Sequence, residues 1–224
     1  NEWAERDSDD VRLDVKDGDY IINHKRSSGG WSSTIDKKFD TSRDYRISAN
    51  IKKISGIQTN GFGLITGRSD SDNQNQFFIS ARGSFIVSKH VNGKRTYLKN
   101  WTKSSHIKTG NGASNILTIK KKGSKVEYLI NSKVVYTNYS YTSYGNRTGF
   151  IVYDNQKVSV SYLSMSYLDN KSTITTNTTT TNNKSVIFED NFSSNKNNWS
   201  TTNTNEVDLE VRNNRYYFEH KRAD

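Results

Sequence analysis

The stretch "FFISARGSFIVSKHVNGKRTYL", residues 77–98, carries its own punctuation. Arg82-Gly83 and Asn92-Gly93 cut it into three segments of strand length. Asn-Gly is the dipeptide that tight hairpin turns select, because both central positions need φ > 0. The segments between are rich in β-branched and aromatic residues, which suit a pleated, half-buried surface. Residues 116–137, "ILTIKKKGSKVEYLINSKVVYT", repeat the pattern, with turns expected at Lys122-Gly123-Ser124 and at Asn131-Ser132. The chain therefore meanders antiparallel through at least six short strands in its middle third.

Working outward, the hydrophobic period is two rather than 3.6. In "YRISANI", Tyr45, Ile47, Ala49 and Ile51 take one face, and Arg46, Ser48 and Asn50 the other. "VSVSY" does the same with Val158, Val160 and Tyr162, after which the phase slips to Leu163, Met165 and Tyr167, which predicts a β-bulge. "GFGLIT" and "TGFIVY" are continuous apolar runs that suit central strands. No stretch carries a long amphipathic helix. Many short strands with regular turns define an all-β, two-sheet antiparallel sandwich.

Composition agrees. Hydrophobic residues are 31% and aromatic residues 12% of the 224, enough for a core flanked by wide polar faces. The absence of Cys excludes a disulfide framework and a thiol nucleophile. No segment approaches the ~18 consecutive apolar residues of a membrane-spanning helix. The net charge of +10 reads first as a solvated, soluble surface, and a basic surface also favours anionic partners such as acidic polysaccharide, lipid headgroups or nucleic acid.

The chain also repeats itself. Residues 197–224 align without gaps on residues 1–28, with 9 identities that include Trp3/Trp199, Val11/Val207, Leu13/Leu209, Tyr20/Tyr216 and His24-Lys25-Arg26/His220-Lys221-Arg222. The shared residues also share strand phase. We read a window on a tandem array with a repeat of 196 residues, opening inside one copy and stopping inside the next. Residues 170–184, "NKSTITTNTTTTNNK", are nearly devoid of apolar side chains and read as a linker. The expected organisation is a sandwich over 1–169, the linker over 170–184 and the start of the next repeat over 185–224.

"NGFGLITGRSDSDNQNQFFISARGSFIVSKHVNGKRTYLKNW", followed by "NILTIKKKGSKVEYLINSKVVYT", resembles the laminin-G-like, concanavalin A-like lectin/glucanase superfamily. "FEDNFSSNKNNW", residues 188–199, looks like the Phe-x-Asp-x-Phe-Ser…Trp opening of such domains. The resemblance implies a concanavalin A-like jelly roll in which the first strand lies beside the last. The first copy begins two residues before Trp3 and lacks that strand, so its sheet edge is expected to be open, a feature proteins normally cover. Residues 186–192, with Val186, Phe188 and Phe192 in alternation, are expected to supply it, either within the chain or by strand exchange with another molecule.

Candidate sites follow from residue types. "EVDLE", residues 206–210, resembles the catalytic strand of laminarinase-type glucanases, where two carboxylates flank the scissile bond. The first copy has Arg12 where the second has Asp208, and the segment falls early in the domain, so no catalytic residue is assigned. Asp70, Asp72 and Asn73 in "RSDSDNQNQ" offer the oxygens that Ca²⁺ prefers, without the Gly and Glu of an EF-hand loop. A solvated hairpin loop is the first reading of this cluster, with calcium as the alternative and the one cofactor considered. His24 is expected to be a hydrogen-bonded histidine at a strand end. Sugar binding needs a flat aromatic flanked by polar hydrogen-bonders. Trp101, Tyr97 and Trp31 are the aromatic candidates, with Lys99 and His90 in a basic cluster that also holds Lys94, Arg95, Lys103, Lys108 and His106.

These readings point to an extracellular or cell-surface repeat protein. Adhesion or carbohydrate binding without catalysis is the first function expected, with a glycan of anionic character and the other repeats as partners. A fibre or sheath subunit assembling by strand exchange and an accessory or degenerate glycoside hydrolase domain are the alternatives, and nucleic-acid binding through the basic face ranks below them.

Overall fold

The computed structural model describes residues 3–16, 19–37, 39–168 and 185–190, with side chains for 186–189 of the last segment, and the backbone of strands 202–203, 207–212 and 215–220. Every regular element among the described residues is a strand. In chain order they are β1 (Arg6–Asp7), β2 (Val11–Lys16), β3 (Asp19–His24), β4 (Gly30–Asp36), β5 (Tyr45–Gly56), β6 (Phe62–Arg68), β7 (Gln74–Ile79), β8 (Ser84–Val91) and β9 (Lys94–Lys103). There follow β10 (Ser114–Lys122), β11 (Lys125–Ile130), β12 (Lys133–Asn138), β13 (Arg147–Tyr153), β14 (Gln156–Tyr167), β15 (Ser185–Asp190), β16 (Thr202–Asn203), β17 (Val207–Arg212) and β18 (Arg215–His220).

Two antiparallel sheets form the sandwich. One runs β1-β2-β3-β14-β5-β10-β11-β12, the other β4-β13-β6-β7-β8-β9. The turns fall where the sequence places them. Asn92 and Gly93 have φ of 50° and 75°, and Asn131 and Ser132 have 49° and 70°. Positive φ at both central residues matches the right-handed twist of the strands they join. Tyr45, Ile47, Ala49 and Ile51 are all buried, and they face Phe62, Leu64, Phe77, Val87, Phe150 and Val152 of the second sheet in one apolar core. Trp3 closes one end of that core, its ring 5.0 Å from Tyr20 and 5.2 Å from Phe150.

β14 organises the first sheet. Its ladder with β5 slips between Val160 and Tyr162, just before the break in alternation seen in the sequence, and Leu163 and Met165 beyond the slip still point into the core. On its other edge β14 pairs with two strands end to end. β3 takes Gln156–Val160, and β15 takes Leu163–Tyr167. Phe188 of β15 enters the main core and is 6% exposed. Val186 does not: a register shift between Met165 and Ser166 leaves Ile187 without a ladder partner. The bulge reverses the phase, so Val186 is 55% exposed while Ile187 packs against the core. Strict alternation of Val186 with Phe188 is thereby corrected. Phe192 and the segment expected to be a linker lie outside the described residues.

β16, β17 and β18 form a ladder of their own. Thr202 pairs with Leu209 and Val207 with His220, as Arg6 pairs with Leu13 and Val11 with His24. Every partner is displaced by 196 positions, so the sequence match extends to backbone register.

Candidate functional site

The central strands of the second sheet are apolar on both faces. Phe77 and Phe78 point opposite ways, Phe77 into the main core and Phe78 into a second cluster with Ile65, Ile86 and Ile151, against which Tyr153 packs. The runs that read as continuous apolar stretches are therefore strands with two buried faces. This second apolar face forms the floor of a cleft of about 160 Å³.

Phe78, Ile86 and Tyr153 lie beneath the cleft, Tyr97, Trp101 and Arg95 of β9 border it, and Thr59, Asn60, Gly61 and Asp154 complete its lining. Tyr97 and Trp101 are 51% and 46% exposed, unusual for rings of this size in a domain where Trp3 is sealed in the core. Two register shifts in the β8–β9 ladder flank Val87. Between the two cleft aromatics, Leu98 packs against the main core. Gly61 matters by being small: a Cβ there would stand 3.2 Å from Phe78 and 3.4 Å from the Trp101 ring, in the space the cleft occupies.

Polar groups in the cleft are held in place. The Arg95 Nη2 donates to Gln76 Oε1 at 2.9 Å and to the Tyr153 hydroxyl at 2.7 Å. Its guanidinium also lies 5.7 Å from the Tyr97 ring centre and 5.3 Å from that of Tyr153. Asp154 sits in the β13–β14 turn with φ of 55°, a conformation Asp tolerates better than most residues. Its N–H donates to Gly29 O at 2.8 Å, and its carbonyl bonds His24 Nδ1 at 2.8 Å. The Asn60 amide donates to its carboxylate. Beneath, Gln156 Nε2 donates to Gly61 O at 3.0 Å and also to Tyr153 O, while the Lys53 ammonium donates to Gln156 Oε1 and to Ile57 O. Lys53 is 1% exposed, and burial pulls its pKa down from the usual lysine range to about 8. This interior network fixes the backbone at two points of the cleft lining.

Of the aromatic candidates, the structure brings Tyr97 and Trp101 together and separates Trp31 from them. Trp31 in β4 pairs with Val152, so its ring turns to the core side, where the Arg6 guanidinium stands 4.9 Å from it. The expectation of a sugar platform at Trp31 is corrected on that ground. Lys99 does not line the cleft. His90 pairs with Arg95 one step beyond it, and burial followed by the Arg95 charge lowers its pKa. Of the basic cluster, Arg95 alone lines the cleft.

The acidic loop has a local role. Asp70 Oδ1 accepts the backbone N–H groups of Asp72 and Asn73, each at 2.8 Å, and the Asn73 amide donates to the same carboxylate. Asn73 Oδ1 accepts from the Asn92 N–H at 3.0 Å, tying the loop to the β8–β9 turn. Among the described residues no group of three or more His, Asp or Glu gathers as a metal centre would require. The oxygens of Asp70 and Asn73 are thus engaged in closing the turn. Asp14, in the strand corresponding to "EVDLE", is buried and ion-paired with Arg12 at 3.0 Å.

Sequence reasoning missed Asn60, Gly61, Tyr153 and Asp154. Each lies at the end of a strand, in "TNGF" or "VYDNQ", and polar residues flanking apolar runs were the available signal.

No protein-family model matches the chain, and no curated protein matches it. Solved structures do share its fold. One comes from work on endo-acting O-glycanases of prominent members of the human gut microbiota, with a TM-score of 0.52, 9% identity and coverage of 75% of this chain and 89% of that one. A functionally unknown protein from Saccharomyces cerevisiae has a TM-score of 0.50 and 14% identity, over 74% of this chain and 95% of that one. The carbohydrate-binding module CBM66 from Bacillus subtilis has a TM-score of 0.44 and 16% identity, over 70% and 86% respectively. The chain is an all-β, two-sheet antiparallel sandwich.

Proposed function

We propose that this domain binds carbohydrate, without catalysis, as one unit of an extracellular or cell-surface repeat protein engaged in adhesion. The cleft carries the reading. Two half-exposed aromatic rings stand beside a guanidinium, a carboxylate, an amide and a hydroxyl within about 160 Å³. A pyranose has apolar C–H faces and a rim of hydroxyls, and this mixture of flat apolar surface and hydrogen-bonding groups complements it. The volume is below the ~300–1,000 Å³ of drug-sized sites, so the cleft takes a single ring.

Glycoside hydrolysis by the usual route needs two carboxyl groups about 5–9.5 Å apart. Asp154 is the carboxylate lining the cleft, and Asn60 engages it. Binding by one small site is weak, and repeats joined in series raise it when their spacing matches that of the target. The shared ladder register of β1–β3 and β16–β18 supports such an array. A glycan array with the wild type and Trp101→Ala tests the reading. Binding that Trp101→Ala removes supports it; binding unaffected by the substitution, or release of reducing sugar, refutes it.

A second reading rests on β15. A strand reached through an intervening segment of chain and seated on a sheet edge can also be offered to another molecule, which would build a fibre or sheath. Concentration-dependent oligomers lost on deleting 185–190 would favour it.

A further inference from the structure

The cleft contains an arginine whose charge has no counter-ion among the described residues. Arg95 makes no ion pair among the described residues; both of its hydrogen bonds, to Gln76 Oε1 and the Tyr153 hydroxyl, go to neutral acceptors and use the same nitrogen, Nη2. Nη1 keeps its hydrogens, and the buried Nε has no partner. The acceptors are themselves fixed. Gln76 is 1% exposed and also accepts from Ser88 at 3.1 Å, while the Tyr153 ring packs on Phe78 with centroids 5.4 Å apart. The guanidinium is thus held against the apolar floor by two anchored side chains, with donors to spare. At the other pole, Asp154 is tied to Asn60 and displays an acceptor, not a donor.

We infer that the cleft selects a sugar ring bearing a carboxylate, of the hexuronic or nonulosonic acid type, with the acid on Arg95 and the ring hydroxyls on Asp154 and Asn60. The inference rests on the carbohydrate-binding reading above and names the substrate class of the same site. Charge explains the direction. A guanidinium partly withdrawn from water, with no ion pair among the described residues, gains more from a carboxylate than from a hydroxyl, because the carboxylate adds attraction between full opposite charges and offers two acceptor oxygens to the planar fork. The carboxylate of Asp154 imposes the orientation, since an acid group turned toward it meets like charge. A neutral ring satisfies the Asp154 pole and leaves the Arg95 charge unanswered.

Calorimetry or ligand-observed NMR on the 224-residue chain tests this, with methyl glucuronide and methyl galacturonide against the corresponding neutral methyl glucoside and galactoside, and with a galactose 6-sulfate as a third anion. The acids are expected to bind at least tenfold more tightly than their neutral parents, and more tightly than the sulfate. Arg95→Gln is expected to bring acid and neutral sugar to within about twofold of each other. Tyr97→Ala is expected to weaken both alike. Equal binding of acid and neutral parent overturns the inference while leaving the carbohydrate reading intact, as does a preference for the acids that survives Arg95→Gln. A preference for the sulfate overturns the carboxylate assignment. Binding of none of these probes, nor of any glycan on an array, overturns the underlying reading instead. Should Arg95→Gln fail to fold, the wild-type comparison of acid with neutral parent decides alone.

Discussion

Replacing Phe188 with alanine tests how β15 is attached to the sandwich. The ring is 6% exposed, lies within the main core and has the Lys37 ammonium 4.6 Å from its centre. An aromatic side chain buries at least about 150 Å², and at about 25 cal/mol/Å² that amounts to ~4 kcal/mol. Residual burial in the unfolded chain lowers this by up to about 40%, and the cation–π contact adds roughly 0.5–1 kcal/mol. A net loss of about 3 kcal/mol results, at the lower end of the ~3–5 kcal/mol seen for Phe→Ala in cores. The loss has a ceiling. Once it exceeds the free energy with which β15 docks, the strand detaches and further damage costs nothing more. Val186→Ala is the control, because the bulge at Ile187 leaves Val186 exposed, and it should change stability by less than about 0.5 kcal/mol. Urea unfolding followed by fluorescence measures both, the buried Trp3 reporting the main core. Equal midpoints for Phe188→Ala and Val186→Ala would refute the reasoning, as would a larger loss from Val186→Ala, since that would restore the unbroken alternation.

Two further outcomes are expected. Lys53 titrates near 8 in the folded domain and near 10.5 unfolded, so between those values the unfolded chain holds more protons and stability rises with pH. From pH 7.5 to 9.5 the gain should be about 2 kcal/mol, at about 1.4 kcal/mol per tenfold in proton affinity. Lys53→Met should flatten the rise in a pH series of urea midpoints, and a wild-type profile that falls over this range would contradict the assignment. The window closes above pH 10, where burial holds the Tyr20 and Tyr45 phenols protonated when folded and the unfolded chain releases them. Gly61→Val should abolish glycan binding, its added methyls filling the space between the backbone and Trp101, and should lower the urea midpoint because its Cβ would stand 3.2 Å from Phe78, while circular dichroism shows the sandwich retained. Undiminished binding would place the sugar elsewhere.

Much of the fold was legible because strand physics is local. Period-two alternation named the inward face of β5, the phase slip after Tyr162 announced a bulge that falls just before that residue, and Asn-Gly and Asn-Ser marked turns that do adopt positive φ. These signals need only a residue and its neighbours a few positions away. The match of residues 197–224 to residues 1–28 was legible for the same reason, as a comparison of one stretch with another.

The site was legible only in part. Trp31 and Trp101 are the same residue type in similar polar surroundings, yet one packs on the core and the other borders a cleft. What separates them is strand register and two bulges in the β8–β9 ladder, which depend on partners far along the chain. Asn60 and Asp154 sit on two connections at one end of the second sheet, and the Arg95 side chain comes from nearer the other end of β9 to bond the Tyr153 hydroxyl between them, a convergence no local pattern records. Val186 makes the same point in miniature, its alternation with Phe188 undone by a single bulge set by pairing with Met165 and Ser166. The sequence alone determined which segments become strands and which side of most of them is apolar, since backbone sterics and side-chain type decide that locally. Only the tertiary structure decided which outward-facing groups converge, because convergence is a property of how sheets register and pack.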